Sequence, residues 1–339
     1  MEIKTTPVPK CPVCEGQGSV AIAGAHDHIT KLPGTWTFRE CSRCQTLWQD
    51  PCTVREDIGK LYPENYHFTH SEPAVGIKPA RGFAQSAKVA ILQQCYGYAG
   101  LPDGADSKFG TWFGRVSGML GPIRRRAGRT TGFLRARKND RLLDVGCGNG
   151  GFLNVMKGLG WECEGIEPDP IAAEMARRAG HKVREGSVED LDLPESQYDA
   201  VSLSHVMEHF PQPRVAVARI ERLLKPGGVL VSISPNPRSL IRRLYGGKWY
   251  GLMAPQHLVI PSANGYRILS ELVGLQPKCW TSAANSYWYL RESISIKRTG
   301  TPGNCHSRLY PKLFSLASAM ALPFFRNIGE EVICYAVKR

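Results

Sequence analysis

The chain has 339 residues, 42% of them hydrophobic and 22% charged, with a formal net charge of +13. This composition excludes general disorder and collagen-like repetition, and the length suits about two domains. No apolar run reaches the roughly 18 to 20 residues that span a bilayer; the longest candidate, Leu313 to Phe325, is interrupted by Ser315, Ser318 and Pro323 and is expected to bury against a core.

Residues 1–58 are rich in Cys, Gly and Pro, lack a helical apolar period, and read as a metal-stapled module. The opening MEIKTTPVPKCPVC has no apolar signal segment, so a cytoplasmic location with reduced cysteines is expected. Residues 59–138 read as a helical connector, with Tyr62, Tyr66 and Tyr98 and helical patterns over Phe83 to Tyr96 and Lys108 to Leu120. The connector runs into a basic segment. Arg115 to Arg141 holds nine Arg and Lys against Asp140 alone, or +8 of the +13, and such a concentration invites an anionic partner or forms a solvated face.

From residue 139 to 339 short apolar strands alternate with amphipathic helices, the pattern of a parallel sheet covered on both faces. Strands are expected at Arg141 to Val145, Glu162 to Glu167, Lys182 to Arg184, Ala200 to Leu203, Val229 to Ser234 and Glu331 to Lys338. Helices are expected at Gly151 to Leu159, from Asp169 and Pro170 to the stop at Gly180, at Pro213 to Leu224, and at Ser262 to Val273.

Two features carry chemistry. Cys11 and Cys14 form one CxxC pair and Cys41 and Cys44 another, 26 residues apart, a spacing that lets four thiolates converge on Zn²⁺. Four sulfur ligands leave no open position, so this zinc is expected to be structural. Further on, Leu142 to Gly151 reads LLDVGCGNGG and runs from strand to helix; its glycines let backbone approach a ligand where a Cβ would clash. Gly146, Gly148 and Gly151 also satisfy GxGxxG, so a dinucleotide is one candidate ligand. Asp144 beside the loop argues against a pyrophosphate and suits a ligand with a cationic amino group and a sulfonium. Glu167, 21 residues after Gly146, stands where an acid accepts hydrogen bonds from ribose hydroxyls.

LLDVGCGNGGFL, GIEPDP, YDAVSLSHVMEHFPQP and ERLLKPGGVLVSISPNP follow in that order, and together they resemble the class I S-adenosylmethionine (SAM)-dependent methyltransferases. The resemblance covers residues 139–339 and implies an α/β, Rossmann-like seven-stranded sheet, mostly parallel with the last strand reversed. CPVC, FRECSRC, QDP, LYPENYHFTH and GKWYGLMAPQHL look like a bacterial zinc-ribbon subgroup associated with saccharide, surface-glycan and natural-product pathways. The resemblance makes Asp144, Gly146 and Gly148 contacts to the methionine portion and Glu167 the ribose acceptor. It makes Ser187, Val188 and Glu189 the adenine wall, with Ser204 also at the cofactor. Ser187 departs from the family pattern, which often has Asp there.

Methyl transfer to a hydroxyl needs in-line positioning and removal of a proton, for which a histidine poised near neutral pH is suited. His205, just after the fourth strand, and His257, in an insertion with Trp249 and Tyr250 that could form a lid, are the candidate bases. Glu208 and His209 follow His205 within a helical turn, where a divalent ion or a simple salt bridge is conceivable. The leading reading is O-methylation of a small molecule, sugar, glycan or glycolipid, an anionic acceptor meeting the basic segment. An RNA methyltransferase is the alternative, with the ribbon and Arg124 to Lys138 as an electrostatic groove; a non-catalytic cofactor-binding scaffold is the third. Peripheral membrane contact is compatible with the charge.

Overall fold

The computed structural model describes residues 3–62, 83–99, 101, 116, 118–119, 121–137, 139–303, 309–322 and 324–339. The helix expected over Lys108 to Leu120 falls almost wholly outside them, as do Tyr66, Arg115 and Lys138. The strands are β1 Thr5–Thr6, β2 Gly18–Ala25, β3 Trp36–Cys41, β4 Leu47–Gln49, β5 Cys52–Thr53, β6 Arg141–Val145 and β7 Glu162–Glu167. They continue as β8 Lys182–Glu185, β9 Tyr198–Ser204, β10 Leu224–Pro235, β11 Val259–Ile260, β12 Gln276–Ser282 and β13 Glu331–Val337. A seven-stranded sheet has the order β12-β13-β10-β9-β6-β7-β8, a four-stranded one the order β11-β4-β3-β2, and β1 pairs with β5. The α/β, Rossmann-like expectation is met. β6 runs parallel to β7 and β9, and β7 parallel to β8, while β12 and β13 are antiparallel.

Contacts group residues 1–66, 204–222 and 232–339 into one compact unit, and 67–203 with 223–231 into another. The division 1–58, 59–138 and 139–339 follows sequence texture, whereas these units are assembled from segments distant in the chain.

In the first unit, the cysteine-rich stretch is more β-structured than its composition suggests. β3 pairs antiparallel with β2 and β4, and β4 takes β11 as its other neighbour through Trp48↔Val259 and Leu47↔Ile260. Phe38, Leu47 and Trp36 bury their side chains with Ile241, Leu252 and Trp249. Trp249, 1% exposed, is therefore a core residue, so the insertion expected as a candidate lid keeps this ring away from its surface. At Gly18 a Cβ would lie 2.4 Å from the Trp48 ring, so the close approach of β2 requires glycine.

A second correction concerns Leu313 to Phe325. The helix Leu309–Ala321 buries Pro311 and Ser318, and Leu313, Leu316, Met320 and Phe324 are exposed by 56, 60, 68 and 81%. Its apolar stripe faces out, Pro311 and Ser318 lie on the opposite face, and the helix neighbours Ser286–Thr299.

In the second unit, β6 is buried on both faces from Leu142 to Val145, as a central parallel strand should be. The helix Pro170–Arg178 opens as its sequence predicts, with Asp169 accepting hydrogen bonds from the amides of Ile171 and Ala172 and Pro170 at the first position.

Candidate functional site

The glycine loop sits at the C-terminal end of β6. Gly146, Gly148 and Gly150 have φ of +70°, +53° and +84°, a region that side chains with a Cβ rarely adopt. The amides of Gly146 and Cys147 donate to the Ile166 carbonyl at 2.8 and 3.1 Å, tying the loop to the end of β7. Glu167, the last residue of β7, accepts the Gly148 amide on Oε2 at 2.8 Å and the Asp169 amide on Oε1 at 3.0 Å. Its own carbonyl accepts the Gly186 amide at 3.1 Å, which brings the turn after β8 alongside. In that turn Val188 is fully buried and Ser187 and Glu189 are partly covered, the Ser187 hydroxyl accepting the Glu189 amide at 3.3 Å.

Asp144 is 4% exposed. Burial pushes its carboxyl up to about 7, Glu167 adds to the rise, and the hydrogen bond from Ser202 opposes it. Ser202 Oγ donates to Asp144 Oδ1 at 2.6 Å, across the β6–β9 register that sets Asp144 opposite Ser202. Asp144, Gly146, Gly148, Glu167, Ser187, Val188 and Glu189 thus gather along one edge of the parallel strands. Two carboxylates and a glycine-lined approach there suit a ligand with cationic and hydroxyl groups. Ser204, exposed at the end of β9, groups with the first unit. Ser202 is a residue that motif reading passed over; its strand alternation, which points it toward the face of Asp144, was the available signal.

Within the first unit a second constellation surrounds Glu208, whose carboxylate is fully buried. His205 Nδ1 lies 3.3 Å from Glu208 Oε1, and Nε2 lies 3.2 Å from Glu331 Oε1. Burial opposes a charge on His205, but the two carboxylates outweigh it and raise the imidazole to about 9. The histidine expected to be poised near neutral pH is therefore an imidazolium with both nitrogens facing acids. Glu331 escaped sequence reading, although an acid opening an otherwise apolar strand is a signal. It also accepts Asn285 Nδ2 on Oε1 at 2.8 Å.

His257 is 2% exposed. Its Nδ1 donates to the Gly251 carbonyl at 2.9 Å and its Nε2 lies 3.9 Å from Glu208 Oε1. Burial, with His209 nearby, lowers it to about 3, so it is neutral and does not reach solvent. His209 Nδ1 stands 3.0 Å from the Gln256 carbonyl and 2.8 Å from the Tyr62 hydroxyl. Glu208, His209 and His257 offer ligand atoms within 4.8 Å of one another and could hold a metal ion.

The cysteine cluster assembles as its spacing predicts. Sγ of Cys11 is 3.6 Å from that of Cys44, and Sγ of Cys14 is 3.4 Å from that of Cys41. Sulfurs tetrahedral on zinc at about 2.3 Å stand about 3.8 Å apart, so a small outward movement accommodates the ion. The Cys44 amide points at Cys41 Sγ at 3.5 Å.

Residues 120–278 match the family model described as "Methyltransferase domain". That stretch, just under half of the chain, resembles a methyltransferase domain. The methyltransferase domain is similar to curated ubiquinone biosynthesis O-methyltransferases. That of Alkalilimnicola ehrlichii is 34% identical over 125 residues, 34% of this chain and 51% of the relative. That of Bordetella avium is 31% identical over 137 residues, 36% of this chain and 57% of the relative. The match thus spans about half the length of these relatives. Among solved structures, geranyl diphosphate C-methyltransferase from Streptomyces coelicolor superposes with a TM-score of 0.48 at 18% identity, covering 84% of this chain and 97% of that one.

Proposed function

We propose that this protein transfers the methyl group of SAM to a hydroxyl of a small-molecule acceptor, with the ribbon cysteines holding a structural zinc. The observation that carries the reading is the Asp144–Glu167 pair at the ends of adjacent parallel strands, beside a loop whose glycines keep backbone open to a ligand. The O-methyltransferase names of the curated relatives support the hydroxyl acceptor. When bound, the cofactor supplies an electrophilic methyl on a sulfonium.

In this reading Asp144 faces the cationic methionine portion, Gly146 and Gly148 admit it, Glu167 receives the ribose hydroxyls, and Ser187, Val188 and Glu189 line the remainder. The acceptor oxygen forms its bond to carbon as the carbon–sulfur bond breaks, and the hydroxyl proton leaves. We assign that proton to the set formed by His205, Glu208 and Glu331. His205, with a third of its side chain exposed, is the member open to a hydroxyl; its proton passes to one of the carboxylates it faces, and the nitrogen so freed takes the hydroxyl proton. His257, neutral and fixed on the Gly251 carbonyl, packs beside Glu208 and is not the base. A sugar or glycan acceptor is the finer form of the proposal, suited by the concentration of positive charge at Arg124, Arg125 and Arg126, which are exposed.

The test is transfer of a labelled methyl group from SAM to fractionated cell extract. Label in a small-molecule, saccharide or lipid-linked pool is expected. Label in RNA, removed by ribonuclease, would replace this reading with the nucleic-acid one.

A further inference from the structure

The helix Leu309–Ala321 presents a continuous apolar stripe to solvent. Leu309, Leu313, Leu316 and Met320 recur at spacings of four, three and four, one face of an α-helix, and are 69, 56, 60 and 68% exposed. The turn after it carries Phe324 and Phe325, 81 and 63% exposed. Isolated apolar residues on a surface are ordinary, whereas a contiguous stripe ending in two phenylalanines marks an interaction site.

We infer that this helix and the Phe324–Phe325 turn dock the protein on the surface of a bilayer containing anionic lipids. Charge selects this occupant. From Lys297 to Gly329 the chain contains Lys297, Arg298, Arg308, Lys312 and Arg326 and no Asp or Glu. A second copy on a two-fold axis would set this stretch against itself, with like charges opposed. Anionic headgroups neutralise it, and each Lys or Arg near such a surface strengthens the attachment.

The aromatic residues agree. Tyr310 beside the stripe and Trp288 on the neighbouring helix Ser286–Thr299 are 54 and 51% exposed, and rings with an apolar body and a polar edge settle at headgroup depth. Length excludes spanning. The helix has 13 residues, about 20 Å at 1.5 Å per residue against a hydrocarbon core of about 30 Å. It therefore lies in the interface with its stripe turned to the acyl chains. This inference is independent of which acceptor is methylated.

The test is co-sedimentation of the full chain with phosphatidylcholine vesicles, with and without phosphatidylglycerol, at low and high salt. Binding to the anionic vesicles that weakens with salt is expected. Exchanging Phe324 and Phe325 together for serine should lower the affinity about tenfold or more, and Lys312→Glu with Arg326→Glu should abolish the preference for anionic vesicles. These positions are exposed, so melting temperature and SAM binding should stay at the wild-type level. A separate Leu316→Ser, Met320→Ser variant should reproduce the loss. Absence of vesicle binding, equal binding by the phenylalanine variant, or a dimer in solution that this variant dissociates would each overturn the inference.

Discussion

Ser202 Oγ donates to Asp144 Oδ1 at 2.6 Å, and that hydrogen bond opposes the burial that raises Asp144 to about 7. Pairing with a cationic ligand requires the ionised carboxylate. With a pKa near 7, about one-tenth of the free protein is ionised at pH 6 and about nine-tenths at pH 8, so the SAM dissociation constant should fall about tenfold between them. The unliganded protein behaves oppositely. A carboxyl raised in the folded state stabilises it at low pH, and that contribution is lost as pH rises from the ordinary carboxyl range to about 7. Calorimetric titration at both pH values checks the first statement, and Ser202→Ala should move its midpoint upward. An affinity that does not change with pH would remove Asp144 from the cofactor site.

Glu167 holds two amides, those of Gly148 and Asp169. Glu167→Ala leaves both donors without their carboxylate and removes the acceptor assigned to ribose. Hydrogen bonds to a charged group contribute about 1.5 to 3 kcal/mol, so the SAM dissociation constant should rise about ten- to hundredfold. Glu167→Gln, which keeps the shape, should lose less. Wild-type binding by the alanine variant would contradict the assignment.

His205 faces two carboxylates, and its assigned part in proton removal sets the scale of its loss. His205→Gln should lower kcat by about 10² to 10⁴ with SAM binding unchanged. Glu331→Gln should lower kcat less and shift the pH–rate profile, because it acts through His205. Undiminished turnover at saturating substrate in both variants would leave positioning alone to account for catalysis.

Removing zinc should unfold the cysteine-rich module, since structural zinc in small modules binds with on the order of 10 kcal/mol. Metal analysis should find one zinc per chain. Cys14→Ser or a strong chelator should release it and lower the melting temperature. A purified chain without zinc and with the same melting temperature after chelation would refute the structural role.

Gly18→Ala would put a methyl 2.4 Å from the Trp48 ring. Overpacking of this kind costs about 1 to 3 kcal/mol, readable as a lower midpoint in urea. An unchanged midpoint would mean that β2 can move away from Trp48 without loss.

Local chemistry was readable in advance where it is written in neighbouring residues. The loop from Asp144 to Gly151, the Asp169–Pro170 helix start and the strands β6 and β7 lie where turn and capping chemistry put them. The Cys11–Cys14 and Cys41–Cys44 knuckles converge because each needs only a tight turn. Hidden relationships are those between distant segments. Glu331 meets His205 from 126 positions along the chain, and no period within either segment encodes that meeting. The same holds for Trp249, whose aromatic character suits a stacking surface or a core equally until Phe38 and Leu47 close over it. The stripe on Leu309–Ala321 misleads for a related reason. Apolar periodicity says that a face will be covered, without saying whether protein covers it.

The pairing of β4 with β11 sets an order of events during synthesis. Trp48 and Leu47 find their strand partners at Val259 and Ile260, so the cysteine knuckles emerge from the ribosome long before the edge beside them can be paired. Until residue 260 is made, β4 offers an open edge to any passing strand. A metal ion taken up early by the four cysteines would hold that edge in shape while it waits.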